Sequence, residues 1–140
     1  MLERTPHRFH TAILVVWIVG FLIGTATHVL DLLAGGFDTY AEFPTAVRLF
    51  WVSLTILDPI TVVLLALRRL AGVILALAVI LVDIAVNWTV FVTLAGFPLF
   101  AVVNQTLFAV VLLTTAPMLW RGFRTRSEAT AAIRSPVHES

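Results

Sequence analysis

The sequence predicts an all-α polytopic membrane protein, a bundle of four transmembrane helices with both termini in the cytoplasm. Three observations predict it. Of 140 residues, 60% are hydrophobic and 12% charged, with a mean hydropathy of +1.02, whereas a soluble domain carries about 25% charged residues. The apolar residues fall into four stretches, each near the roughly 20 residues that cross a hydrocarbon core. All nine basic residues are arginines, and they alternate with the stretches in a way that fixes an orientation.

Residues 1–10 form a short polar segment with Arg4 and Arg8. The first helix is expected from Thr11 to Ala34. A basic segment before an apolar run is also the form of a signal sequence, but this run exceeds the usual core of about 7–15 residues, and its polar positions match those of the other stretches. A loop from Gly35 to Ala46 carries Asp38 and Glu42 and leads to the second helix, 47–67. Arg68 and Arg69 join it to the third, 70–94. A tight uncharged turn at Ala95 to Pro98 precedes the fourth, 97–120. Residues 121–140 read as a cytoplasmic tail, its last fourteen residues disordered.

Arg4, Arg8, Arg68, Arg69, Arg121, Arg124 and Arg126 gather on one side, while Arg48 is the sole basic residue on the other. That places the termini inside. Tyr40, Phe43, Phe50, Trp51, Trp88 and Phe97 then read as an outer aromatic belt, and Trp120 with Phe123 as the inner one. The chain has no cysteine, which excludes disulfides and thiol chemistry. An arginine-only, Ala- and Val-rich chain points to a GC-rich bacterial genome and hence to a bacterial inner membrane.

The polar residues inside the stretches are not scattered. His28 and Asp31 come late in the first, Asp58 mid-second, Asp83 and Asn87 from the middle of the third, and Asn104 and Gln105 early in the fourth. Odd helices run outward and even ones inward, so at about 1.5 Å per residue all of these lie from the midplane to the outer leaflet. The inner half offers only the hydroxyls of Thr61, Thr114 and Thr115. An ionisable residue in hydrocarbon costs roughly 2.5–3.5 kcal/mol on insertion scales, so three aspartates imply a site. Spacing converges them: Gly20, Gly24, His28 and Asp31 form one stripe, Asp83 and Asn87 share a face, and so do Thr55, Asp58 and Thr61. Pro59 removes a backbone donor beside Asp58 and frees a carbonyl.

Each feature has a plainer reading. Gly20-x-x-x-Gly24 is a packing motif, within one copy or between two copies of the chain. Asn87, Asn104 and Gln105 serve either as interhelical hydrogen-bond glue or as ligands. Asp31 either hydrates or pairs with Arg48 near the surface, or belongs to the site. Only Asp58 and Asp83 lack such an alternative. His7 and His10 read as solvated. No metal-ligand spacing exists, and neither a GxGxxG nor a P-loop is present to hold a nucleotide, so no metal or cofactor is expected. The arginines flank helices and form no nucleic-acid surface. In a dry site with two or three carboxyls and one imidazole, at least one carboxyl keeps its proton, so a proton donor stands beside an anion. Such a pair can bind an amphipathic amine, stabilise a carbocation, protonate an alkene, or carry a proton across half a membrane.

The His and acid on helix one, Asp58-Pro59 on helix two, Asp83 on helix three, and a fourth helix that opens Phe97-Pro98-Leu99-Phe100, carries Asn104 and nears its end at Pro117 resemble the EXPERA-type superfamily of four-helix membrane proteins. That resemblance implies a pocket for a sterol-like or cationic amphiphilic molecule lined by His28, Asp31, Asp58, Asp83 and Asn104. If the protein is an isomerase, the resemblance makes Asp58 or Asp31 the proton donor, with Asp83 and His28 supporting the cationic intermediate. The leading expectation is therefore an acidic intramembrane pocket, open toward the outer leaflet and lined by His28, Asp31, Asp58, Asp83, Asn87, Asn104 and Gln105. Its partners are the lipid bilayer and a hydrophobic or amphipathic small molecule. Two other expectations remain: proton-coupled transport or relay through Asp58 and Asp83, and a small structural subunit of a larger membrane complex.

Overall fold

The computed structural model describes residues 5–94 and 98–134. Its helices are α1 (Thr5–Gly35), α2 (Thr45–Ala66), α3 (Leu70–Thr93) and α4 (Leu99–Arg134), and a single 3-10 turn, Gly36–Asp38, follows α1. Among the described residues there is no strand. Each helix contains a segment long and apolar enough to cross a membrane, and the four together fit a multi-pass membrane protein. Arg4, Phe97 and most of the turn expected at Ala95 to Pro98 lie outside the described residues.

Helix boundaries follow from local chemistry. Pro6 sits in the first turn of α1, where its missing N–H is not needed. Gly36, at φ +59°, adopts the left-handed conformation that ends α1. α2 starts after Pro44, whose carbonyl accepts the Arg48 N–H at 3.0 Å. At its other end Arg68 N–H bonds the Leu65 carbonyl and Arg69 N–H the Leu64 carbonyl, which is a Schellman motif. Its left-handed position is held by Arg68, at φ 53°, where glycine is usual. Gly72 permits the tight return: a Cβ there would lie 2.8 Å from the Leu64 carbonyl carbon and the Leu65 nitrogen.

α1 packs on α2, α2 on α3, α3 on α4 and α4 back on α1, which closes a ring in chain order. Trp17, Leu54, Leu65, Val73, Leu112 and Leu119 are fully buried at its centre. The outer surface is almost as apolar: Leu33, Ile56, Val92, Phe100 and Leu107 are all exposed. A surface like this suits lipid and not water.

Two expectations about the ends change. α4 does not stop near residue 120 but continues as helix through 121–134, where a tail was expected. Arg, Glu and Ala there are good helix formers, and Arg124 Nε meets Glu128 Oε1 at 2.9 Å one turn on. Likewise α1 begins at Thr5, inside the short polar segment expected to precede the first helix. His10 is not simply solvated, since its ring packs on α4: a Cβ at Gly122 would lie 3.4 Å from His10 Cδ2. Pro59 does not interrupt α2, although it has no N–H to give the Thr55 carbonyl.

Candidate functional site

Asp58, Asp83 and Asn87 are buried, which makes them, with Thr61, the buried polar side chains among the described residues. Asp83 and Asn87, one turn apart on α3, bond directly: Asn87 Nδ2 donates to Asp83 Oδ1 at 3.0 Å. Gln105 of α4 completes a triangle, accepting from Asn87 Nδ2 and donating through Nε2 to Asp83 Oδ2. Trp51 of α2 enters from the other side, its indole N–H donating to Asn87 Oδ1 at 3.1 Å. Both Asp83 oxygens thus accept amide N–H groups, and the network around the carboxyl joins three helices. Charge-assisted hydrogen bonds of this kind are the strong ones, and they hold the group in place.

Asp58 is bound quite differently. Its side chain is 4% exposed, lies close enough to Asp83 to feel its charge, and hydrogen-bonds to nothing among the described residues. Room for it is made by Gly24 of α1, where a Cβ would lie 2.7 Å from Asp58 Oδ2. No described side-chain oxygen or nitrogen is both fully enclosed and unpaired, so the Asp58 oxygens keep a small opening to the outside.

His28 and Asp31 form a second group, joined by a residue from the loop. Tyr40 donates its hydroxyl to Asp31 Oδ2 at 2.8 Å, and the same hydroxyl lies 3.3 Å from His28 Nδ1. Thr39 supports the turn by donating to the Asp31 carbonyl at 2.8 Å. Burial of the Tyr40 phenol, followed by its bond to Asp31, holds its pKa well above the usual tyrosine value. The ring of Tyr40 stacks on Trp51 with centroids 5.1 Å apart, and Phe43 meets Trp51 edge-on at 4.8 Å. Trp51 is therefore shared by both polar groups, touching the Asp31 side with its ring and the Asp83 side with its N–H.

Six of the seven expected lining residues thus fall into two adjacent groups: Asp58, Asp83, Asn87 and Gln105 in one, His28 and Asp31 in the other. Asn104 does not join them. It is exposed on the outer face of α4, because Gln105, its neighbour, is the residue turned inward, and adjacent helical positions point about 100° apart. The pairing of Asp31 with Arg48 does not form either; Asp31 takes the Tyr40 hydroxyl, while Arg48 lies 4.0 Å from the exposed Asp38. Tyr40 and Trp51, expected in an interfacial belt, are instead buried, since each has a polar tip with a partner inside. Trp88 is exposed, at 38%.

The half of the bundle toward the termini is closed by apolar packing. Trp17 is fully buried and donates to Thr115 Oγ1 at 2.9 Å, spanning α1 and α4. Phe21 and Phe108 meet edge-on at 5.7 Å, and Gly20 accepts the Phe108 ring, which fills the space a Cβ there would need. Thr61 turns its hydroxyl back to the Leu57 carbonyl at 2.8 Å. Two shallow surface grooves lie elsewhere. One of about 410 Å³ runs beside Val47, Leu81 and Ala85, and another of about 270 Å³ lies beside Pro59 and Ile60. Neither is bordered by a site residue. Among the described residues no group of three His, Cys, Asp or Glu side chains is arranged to hold a metal.

The chain matches no protein-family model, no curated protein and no solved structure.

Proposed function

We propose that the protein binds the protonated amine of an amphiphilic molecule within the membrane, with Asp58 as counter-ion and Asp83 as the fixed negative charge behind it. The observation that carries this reading is Asp58, a carboxyl 4% exposed with no hydrogen-bond donor among the described residues. A carboxyl withdrawn from water requires a proton or a cation in exchange. An ammonium group supplies both positive charge and N–H donors, and its apolar tail stays in the lipid, so an enclosed cavity is not required. His28, Asp31 and Tyr40 stand at the mouth on the α1–α2 loop side. The resemblance of His28, Asp31, Asp58 and Asp83 to the EXPERA-type pattern favours the same class of ligand. Isomerase chemistry is not part of the proposal.

A second reading is reversible proton binding, favoured by the burial of two carboxyls, Asp58 and Asp83, in one bundle. The Trp17–Thr115 and Phe21–Phe108 contacts argue against a path through the bundle. A proton taken up at Asp58 leaves by the side it entered. The arginines favour a cytoplasmic position for the termini, in a bacterial inner membrane. Single cysteines at Asp38 and Arg126 in this cysteine-free chain test that with an impermeant maleimide, and label only at position 38 is expected.

The functional test is thermal stability in detergent against hydrophobic amines and their neutral alcohols, for the parent, Asp58→Asn and Asp83→Asn. Amine-specific stabilisation, lost in Asp58→Asn, is the expected result. No stabilisation by any amine, together with proton uptake that Asp58→Asn abolishes, favours the second reading.

A further inference from the structure

Asn104 is a polar amide within the membrane-crossing part of α4, exposed on the outside of the bundle and without a hydrogen-bond partner among the described residues. Lipid offers it none. The exposed face of α4 around it is broad, with Val103, Val110 and Leu113 also exposed, and within it Phe100, Asn104, Leu107, Val111 and Thr114 are spaced four, three, four and three apart. That is the heptad spacing of a left-handed helix pair, in which successive positions form one continuous seam. A single asparagine within such a seam fixes register and oligomeric state.

We propose that this face of α4 joins a second copy of the chain as a parallel pair, with Asn104 hydrogen-bonded to Asn104 across a twofold axis. The occupant follows from the chemistry of the amide and the symmetry of the membrane. A carboxamide carries both a donor and an acceptor, so two of them satisfy each other. Two copies inserted in one orientation, related by an axis along the membrane normal, present the same residue at the same depth. Thr114, which already returns its hydroxyl to the Val110 carbonyl at 2.7 Å, adds a small residue at the far end of the seam. The pairing leaves the acidic site intact, since Gln105 points inward while Asn104 points out, so it stands or falls independently of the amine-binding reading.

The absence of cysteine makes the test direct. Single cysteines at Phe100, Leu107 and Val111, with Ile56 and Leu81 as exposed controls on α2 and α3, are oxidised in membranes. Asn104→Leu and Asn104→Gln are compared with the parent for dimer content on dilution in detergent. Disulfide-linked dimers at the three α4 positions but not the controls, with dimer lost in Asn104→Leu and retained in Asn104→Gln, are expected. Equal crosslinking at Ile56 or Leu81, a dimer unchanged in Asn104→Leu, or a monomer at every concentration overturns the proposal.

Discussion

Gly24 and Asp58 form a matched pair across α1 and α2: the carboxyl occupies the space a side chain at position 24 would need, with Oδ2 2.7 Å from a Cβ placed there. Gly24→Ala therefore forces the Asp58 carboxyl to move inside a packed bundle, at a cost of about 1–3 kcal/mol. Asp58→Ala in the same chain recovers most of that loss. A double-mutant cycle of unfolding free energies checks the pair, and additive effects contradict it.

The Asp83 cluster ranks its members by the bonds they make. Asn87 contacts Trp51, Asp83 and Gln105, whereas Gln105 contacts only Asn87 and Asp83. Asn87→Leu is expected to destabilise more than Gln105→Leu, with each loss about 1–3 kcal/mol because buried partners are left unsatisfied. Detergent unfolding curves for the two variants measure the order directly.

Tyr40 is the only tyrosine in the chain, so phenolate absorbance reports on it alone. Its pKa is raised from 10.0 by burial and then by Asp31. A raised folded-state pKa contributes stability that is complete below the unfolded value near 10 and is lost as pH rises toward the folded value. Absorbance is thus expected to develop at higher pH than for free tyrosine, and Asp31→Asn to bring the transition down part of the way. Titration at the ordinary tyrosine position would place Tyr40 in water.

Arg68 holds a left-handed backbone conformation, φ 53°, in the α2–α3 turn. That conformation costs a non-glycine residue roughly 1–2 kcal/mol, so Arg68→Gly is expected to raise the unfolding temperature. Gly72→Ala is expected to lower it, because the new Cβ meets backbone atoms of Leu64 and Leu65 at 2.8 Å, and backbone cannot swing aside.

Four apolar stretches and their order were legible because lipid imposes a length and a polarity on each helix. The convergence of Asp58, Asp83, Asn87 and Gln105 was legible because polar side chains in such helices turn inward. Asn104 shows where depth alone misleads, since neighbours at one depth face different ways. Tyr40 and Trp51 were hidden by their amphipathic character: the same residues suit a membrane interface and a core with a polar partner, and only tertiary contacts separate the two. Gly24 was legible only as part of a packing motif, and Trp17 gave no signal at all. A glycine announces flexibility or closeness without naming its neighbour, and an indole in an apolar run looks like any other large core side chain.

The central claim is that Asp58 is the counter-ion of a bound amine. Equilibrium binding of a radiolabelled long-chain alkylammonium to the purified protein, with the matching alcohol as competitor, tests it most directly in the parent and in Asp58→Asn. Saturable binding that the alcohol does not displace and that weakens by about tenfold or more in Asp58→Asn, roughly 1.4 kcal/mol, is the predicted result. Equal affinity of the two proteins for the amine would contradict it.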